Sequence, residues 1–385
     1  MSRKSKKEYL LEIQRRYQKS DKSEKQKILD EFCNVCDYNR KYAVRILNQD
    51  PLSENKSERT RAGPKKIYHT EGIKKFLKTV WIKTNLICSE RLKACIPFWL
   101  GWYKIKISEL SKKDEDLLRK ISASTIGRVL KQSRSRYKKR GLCTTRPGSL
   151  IRQLIPIKTD QWDEKRPGFI EIDLVAHCGT SVSGEYINTL NTVDIATGWT
   201  SQRAVWGKGE FNTFKALREI ELTLPFQVRG VDSDNGKEFM NYRLLKYFKH
   251  RKEPVSFTRS RAYNKNDNSH IEQKNWTVVR QYVGYDRFEN PMQLEVLNDL
   301  YSNDLNNFIN YFIPSVKLIA KERQGSKIKK KYDKAKTPYQ RLCESKYIDQ
   351  DKKRELHKIL NTLDPFKLQE NINQKIDKMI KMSVK

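Results

Sequence analysis

The feature that most restricts the possible folds is a change of pattern near Gly168. Upstream, apolar residues recur three and four positions apart, as in helices; downstream, short runs rich in β-branched and aromatic residues alternate with turns. Strands are predicted at residues 169–175, 186–194, 200–206, 228–232 and 255–258. Helices are predicted at residues 211–222 and 238–248, from Asp267 onward, and at 291–312. This order, βββαβαβα, predicts a mixed five-stranded sheet flanked by helices.

Three acidic residues occupy prominent positions in this pattern. Asp173 follows an alternating run of apolar and acidic residues in the first strand, and Asp234 follows the fourth strand at an Asn-Gly turn. Glu272 lies near the start of a predicted helix for which Asp267 is the expected N-cap. Two strand ends and a helix start can bring side chains together, so we expect the three carboxylates to converge. Hard oxygen ligands of this kind suit Mg²⁺ or Mn²⁺.

Two neighbouring acids compete with the chosen strand residues. Glu171 lies two residues before Asp173, and Asp232 lies two residues before Asp234. Each pair shares a face on an extended strand, because successive side chains alternate. The alternation alone therefore leaves either member of each pair as the ligand.

Three further polar residues near these acids have other expected roles. Asp194 is interpreted as a turn residue or as a group that supports a ligand. His177 and His270 contact a phosphate or a ligating carboxylate in one interpretation and are surface histidines in the other.

The charge of the chain indicates a polyanionic partner. Its 385 residues include 79 lysines and arginines against 46 acidic residues, a net charge of +33. Solubility alone does not require such an excess, whereas binding to nucleic acid explains it. The chain has no apolar run of about 18 residues and no apolar signal core near Met1, so no membrane association is expected.

The cysteines indicate a reducing compartment. There are seven, an odd number, and they are scattered along the chain. Cys33 and Cys36 have the spacing of half a zinc site, but no second Cys or His pair follows at a suitable distance. We interpret them as small residues at a helix end.

Residues 1–50 are predicted to form a first helix-turn-helix module. A third helix, capped by Asp37 and running to Leu47, follows two others after a short turn. Its outer face carries the expected DNA-binding residues Arg40, Lys41 and Arg45. A generic helical hairpin with a solvated face is the alternative.

Residues 66–131 are predicted to form a second module of the same kind. A helix with a clear apolar stripe is followed by a short helix that Pro97 is expected to end. The last helix is capped by Ser122 or Ser124 and directs Thr125, Arg128 and Lys131 outward, toward DNA.

The chain is thus predicted to be multidomain, with helix-turn-helix modules at 1–50 and 66–131 and a catalytic core at 161–320. Residues 132–160 form a basic linker, which is either flexible or an arm that tracks the DNA backbone. Residues 321–385 are expected to form a basic, mostly helical C-terminal region.

Several stretches resemble the DDE transposases of bacterial insertion sequences. They are Arg166-Pro-Gly-Phe-Ile-Glu-Ile-Asp173, His177-Cys-Gly179, Asp232-Ser-Asp-Asn-Gly-Lys-Glu-Phe239, Phe257-Thr-Arg-Ser-Arg261 and Lys265-Asn-Asp-Asn-Ser-His-Ile-Glu-Gln-Lys-Asn275. The resemblance implies an α/β ribonuclease H-like core of the retroviral-integrase type. It also favours Asp173, Asp234 and Glu272 over the competing acids as catalytic residues and metal ligands.

The resemblance further implies two Mg²⁺ or Mn²⁺ ions per active site and phosphoryl transfer on double-stranded DNA. The protein would bind the element's ends, cleave their 3′ strands and join them to target DNA, as a homo-oligomer that is at least a dimer. Lys274, Asn275 and Arg280 lie near Glu272 and are expected to contact the DNA ends; a plain charged helix face is the alternative. The expected location is the bacterial cytoplasm, with the nucleoid.

Two other functions remain open. A transposase-derived regulator would bind DNA without catalysis, although an intact acidic triad argues against it. A nuclease of the same fold would cut DNA without joining it. Two helix-turn-helix modules favour the transposase, because that protein must find specific end sequences.

Overall fold

The computed structural model describes residues 3–49, 67–136, 164–233, 239, 242–259, 269–324 and 327–383. The chain divides into two compact units, residues 1–66 and residues 67–385. The predicted basic linker and the loop before the Glu272 helix fall mostly outside the described residues, as does Asp267. No helix in the described part is long and apolar enough to cross a bilayer.

The first unit contains helices α1 (Arg3–Lys19), α2 (Lys22–Cys36) and α3 (Arg40–Leu47). They pack around a core that includes Phe32, Ala43 and Leu47. The prediction that Asp37 caps α3 was wrong. Asp37 ends α2 in the left-handed conformation, with φ of 54°, and Asn39 caps α3 by accepting from the Lys41 N–H. A short aspartate tolerates this conformation better than most residues, which allows the sharp reversal of the chain.

The second unit begins with α4 (Glu71–Lys83), α5 (Ser89–Lys106), α6 (Lys112–Lys120), α7 (Ala123–Val129) and α8 (Lys131–Arg136). Ser122 caps α7 as expected, by accepting from the Thr125 N–H. The prediction that Pro97 ends a helix was wrong, because α5 continues through it for nine further residues, to Lys106. Beyond Pro97, the side chains of Trp99 and Tyr103 are buried in the core. This burial offsets the cost of the helical hydrogen bond that proline, without a backbone N–H, does not donate.

A five-stranded sheet forms the centre of the second unit. Its strands are β1 (Phe169–Ala176), β2 (Ile187–Asp194), β3 (Thr200–Trp206), β4 (Gly230–Ser233) and β5 (Ser256–Arg259), in the spatial order β3-β2-β1-β4-β5. The pairs β1–β2 and β2–β3 are antiparallel, whereas β1–β4 and β4–β5 are parallel. The predicted mixed five-stranded sheet is therefore confirmed.

Helices cover both faces of this sheet. One core packs β1 residues Ile170 and Ile172 against α9 (Glu210–Thr223) and α10 (Tyr242–Lys249). The other face carries α11 (Ser269–Lys274), which continues as a π-helical segment (Asn275–Arg280) into α12 (Gln281–Val283). Next come α13 (Pro291–Asp299), a second π-helical segment (Leu300–Leu305) and α14 (Asn306–Phe312). These helices share one hydrophobic core with α4 to α7.

The C-terminal region differs in part from the prediction. Helices α15 (Pro338–Glu344), α16 (Gln350–Thr362) and α17 (Pro365–Ser383) occur where helices were expected. The basic stretch before them is instead an antiparallel hairpin of β6 (Leu318–Gln324) and β7 (Lys327–Tyr332). Lysine-rich strands are typical of exposed sheet edges, because their charge opposes pairing with other chains.

Candidate active site

Asp173 lies in β1, one residue beyond the described pairing with β4. The register places Glu171 beside Asp232 and Ile172 beside Ser233, the last residue of β4. Asp173 is the next residue of β1, and it shares a strand face with Glu171 and Val175. Its side chain is half-buried.

A row of polar side chains crosses the sheet to Asp173. The register aligns Gln202 of β3 with Asn191 of β2, and Asn191 with Asp173. The Gln202 amide donates to Asn191 Oδ1 over 2.8 Å, and the Asn191 amide donates to Asn275 Oδ1 over 2.8 Å. The Asn275 amide then donates to Asp173 Oδ2 over 2.6 Å, while the Leu174 N–H donates to Oδ1. Because each amide is fixed by the one before it, the orientation of Asp173 is determined from three strands.

The helix that carries Glu272 is attached to the same strand. Glu171 is buried, and its Oε2 accepts from the Ile271 backbone N–H over 2.8 Å, in the first turn of α11. An anion at this position also suits the partial positive charge of a helix N-terminus. Glu272 is exposed and precedes Asn275 by three positions, so both lie on one helix face. Since Asn275 contacts Asp173, that face is directed toward Asp173.

The remaining acids have distinct surroundings. Asp232 is buried, and its Oδ1 accepts from the Thr258 hydroxyl over 2.6 Å. Asp234 lies outside the described residues, as does the side chain of His270. Within the described residues, no group of three His, Cys, Asp or Glu side chains is placed to hold a metal ion.

The three residues after Glu272 that were expected to contact DNA ends occupy different surroundings. Asn275 contacts Asp173, as described. The Lys274 amine donates to the Gly198 carbonyl over 3.2 Å, and burial, with Arg91 and Arg341 nearby, lowers its pKa to about 7. Arg280 donates to the Ala176 carbonyl over 2.7 Å and lies over the Tyr285 ring. Both cations are therefore tied to the backbone around the site.

The residues expected to bind DNA in the two helical modules lie largely at the surface. Arg40, Lys41 and Arg45 of α3 are exposed; Arg40 pairs with Asp30, and Arg45 lies over the Tyr42 ring. In the second unit, Arg128 and Lys131 are exposed, whereas Thr125 is half-buried and its hydroxyl bonds Ser122. Five of the six side chains are thus accessible to a partner.

His177 belongs to the core, not to the surface or to the carboxylates. It is fully buried and its Nε2 lies 2.8 Å from the Thr189 hydroxyl, which in turn lies 2.7 Å from the Tyr301 hydroxyl. Burial, with Arg280 nearby, lowers the pKa of His177 to about 3. Asp194 has the expected turn role: it accepts from the Gly168 N–H and from the Thr197 N–H and hydroxyl.

His177 predicts a dependence of stability on pH. Its pKa in the folded chain, about 3, lies below the ordinary 6.5, so between these values the unfolded chain binds a proton that the folded chain does not. The contribution of His177 to the free energy of unfolding should therefore fall by about 1.4 kcal/mol per pH unit as pH drops from 6.5. Asp194 acts in the opposite direction, because burial raises its pKa to about 6.

Urea unfolding of the wild type and of His177→Gln across this pH range isolates the histidine contribution. Because Asp194 offsets the histidine in the wild type, the free energy of unfolding of His177→Gln should rise relative to that of the wild type as pH falls below 6.5, whereas exposed His250→Gln should follow the wild type. An equal slope in the wild type and in His177→Gln would contradict the assignment.

Sequence reasoning missed three residues that build the site: Glu171 as the anchor of α11, and Asn191 and Gln202 as the amide row. Alternation placed Glu171 on the Asp173 face, but nothing in the sequence revealed its bond to Ile271. Asn191 and Gln202 lie in strands that were correctly predicted. Their polar side chains, at positions expected to face a core, were the sequence signal that could have revealed a role in the site. Their connection to Asp173 depends on the register between strands.

Comparison with known proteins gives distant structural likenesses and one clear relative. No family model matches the chain. The catalytic core domain of BIV integrase is 13% identical, with a TM-score of 0.25, and the match covers 30% of this chain and 68% of that one. The simian T-cell lymphotropic virus intasome in complex with PP2A regulatory subunit B56 gamma is 12% identical, with a TM-score of 0.28, covering 49% and 59%.

A relative in sequence is the uncharacterized protein y4rM of Sinorhizobium fredii (strain NBRC 101917 / NGR234). The two sequences are 37% identical over 321 residues, which is 82% of this chain and 89% of y4rM. The chain therefore belongs to the same family as y4rM.

Proposed function

We propose that the protein is a DDE-type DNA transposase, which binds the ends of its own element, cleaves them and joins them to target DNA. One observation carries the proposal: Asp173 of the central strand β1 is held by Asn275 on the helix face that also bears Glu272. The third residue of the motif, Asp234, directly follows β4 in the sequence. The excess of positive charge agrees with a DNA substrate.

The proposed metal ligands are Asp173, Asp234 and Glu272. All three are carboxylates, the donor type that Mg²⁺ and Mn²⁺ prefer, and a carboxylate has about four acceptor positions. Asp173 can therefore accept from Leu174 and Asn275 and still bind a cation. When bound, two such ions would activate the attacking oxygen and stabilise the leaving 3′ oxygen.

The chain's own residues supply orientation. Asn275 holds Asp173 in one position, and Glu171 fixes the start of the helix that bears Glu272. Neither residue needs to exchange a proton. Fixing carboxylates in advance lowers the cost of assembling the site around DNA.

DNA recognition is proposed for the outer face of α3, for that of α7 and for the first residue of α8. Arg40, Lys41 and Arg45 serve the first unit, and Thr125, Arg128 and Lys131 serve the second. A short capped helix with cations on its outer face is suited to the major groove. Joining paired ends requires at least a dimer on DNA.

Strand transfer tests the proposal. Duplexes from the boundaries of the DNA segment that encodes the protein are incubated with it and with Mg²⁺ or Mn²⁺. We expect metal-dependent nicked and joined products, which Asp173→Ala abolishes and the exposed-site control Asp286→Ala preserves. Binding without nicking or joining in either metal would instead indicate the regulator, and cutting without joining would indicate the nuclease.

Asn275→Ala should reduce strand transfer about 10- to 100-fold, as loss of a residue that orients a metal ligand typically does. The concentration of Mn²⁺ needed for half-maximal rate should rise, and excess Mn²⁺ should restore part of the activity. Asn303→Ala, at an exposed position of the π-helical segment between α13 and α14, is the matched control. An unchanged metal requirement would show that Asn275 does not position Asp173.

A further inference from the structure

A cavity of about 280 Å³ lies beside the helix that bears Glu272, on the side away from Asp173. Lys274 lines this cavity. It follows Glu272 by two positions, which places it about 200° from Glu272 around the helix axis. The turn between β2 and β3, helix α5, helix α14 and the strand β7 form the other walls. The cavity is therefore distinct from the Asp173 face.

Four basic side chains line this cavity: Arg91, Lys274, Lys317 and Lys330. None of them forms an ion pair with a described residue. The acid of the lining, Asp194, accepts instead from the Gly168 N–H and from Thr197. The basic groups thus outnumber the acid of the described lining, although the Asp194 carboxylate interacts electrostatically with Lys317.

Three of the basic side chains are fixed in place by backbone carbonyls. Arg91 Nε donates to Pro314 over 2.6 Å, and the Lys317 amine donates to Ile195 and Ala196 over 2.7 and 2.8 Å. Lys274 donates to Gly198. An ammonium has three donors and a guanidinium has five, so each group keeps at least one N–H for a ligand.

We propose that this cavity binds a phosphate group. Like charges held together in a partly enclosed space repel, and an anion between them removes that cost. Phosphate oxygens accept several charge-assisted hydrogen bonds at once, which suits lysines and an arginine around one volume. The group belongs either to the DNA backbone or to a free phosphate compound. The site does not depend on the proposed catalysis.

Titration with inorganic phosphate tests the site, in EDTA and at constant ionic strength so that catalysis plays no part. We expect saturable binding that Lys317→Met and Lys330→Gln each weaken about tenfold. Lys329→Gln is the matched control, because Lys329 neighbours Lys330 on β7 and is directed to the opposite strand face. Lys330 is exposed, so this variant should fold even where Lys317→Met does not.

A second titration with a short DNA duplex distinguishes the sources. If the site takes a backbone phosphate, inorganic phosphate competes with the duplex and Lys330→Gln weakens binding of both. If it takes a free phosphate compound, phosphate still binds the DNA complex and the variant leaves DNA affinity unchanged. Absence of saturable phosphate binding, or equal phosphate affinity in Lys329→Gln and Lys330→Gln, would overturn the proposal. Loss of strand transfer alone would bear only on the proposed function.

Discussion

Glu272→Gln should abolish cleavage and joining of DNA while leaving DNA binding nearly unchanged. The side chain is exposed in the first turn of α11, so the substitution removes no core packing. The neutral amide keeps the shape of the side chain but loses the charge with which it would hold a divalent cation. Several kcal/mol of lost transition-state stabilisation corresponds to a fall in rate of about a thousandfold.

The matched control is Glu295→Gln, which removes the same charge from an exposed position of α13. Strand transfer and duplex binding are measured for both variants at the same metal concentration. Loss of binding to the same degree as activity in Glu272→Gln would make Glu272 a structural residue. Full activity would remove it from the proposed triad.

Trp99→Ala should destabilise the second unit by about 3–5 kcal/mol, the usual cost of emptying a large buried site. Trp99 is fully buried in the part of α5 beyond Pro97. Its ring packs edge-on against Phe308, Phe312 and Phe366, at centroid distances of 6.1, 6.4 and 5.0 Å. These contacts join helices from both ends of the second unit, so we expect the loss to weaken the whole unit.

Urea unfolding followed by circular dichroism measures this effect. Trp276→Ala is the control, because that ring is 51% exposed and its removal should change the free energy of unfolding by about 0.5 kcal/mol or less. Equal destabilisation by the two variants would show that α5 does not share a core with α14 and α17.

The strands of the sheet could be predicted closely because both of their signals are local. Alternating side chains and turn residues place β3 at residues 200–206, as the structure has it, and β1 differs by one residue at its end. The helix at 291–312 was also correctly bounded, although a π-helical segment interrupts it. Strong periodicity over many residues explains these agreements.

Pro97 and the β6–β7 hairpin could not be predicted in the same way. A proline usually ends a helix, but α5 gains the burial of Ile96, Trp99 and Tyr103 by continuing. The basic stretch at 327–332 has little apolar character to distinguish strand from helix, and its pairing with β6 decided the outcome. Both results depend on contacts with distant residues.

The sequence by itself determined the order of strands and helices and the residue types at the site. Asp173 and Glu272 became candidates because a strand pattern and a helix start are readable from adjacent residues, and the resemblance to DDE transposases favoured Asp173 over Glu171. Tertiary structure alone decided what holds them. The Asn191–Asn275 bond joins residues 84 positions apart, and the Asn275–Asp173 bond joins residues 102 apart. A hydrogen bond exists only where packing and strand register bring donor and acceptor within about 3 Å, and no local pattern encodes that distance.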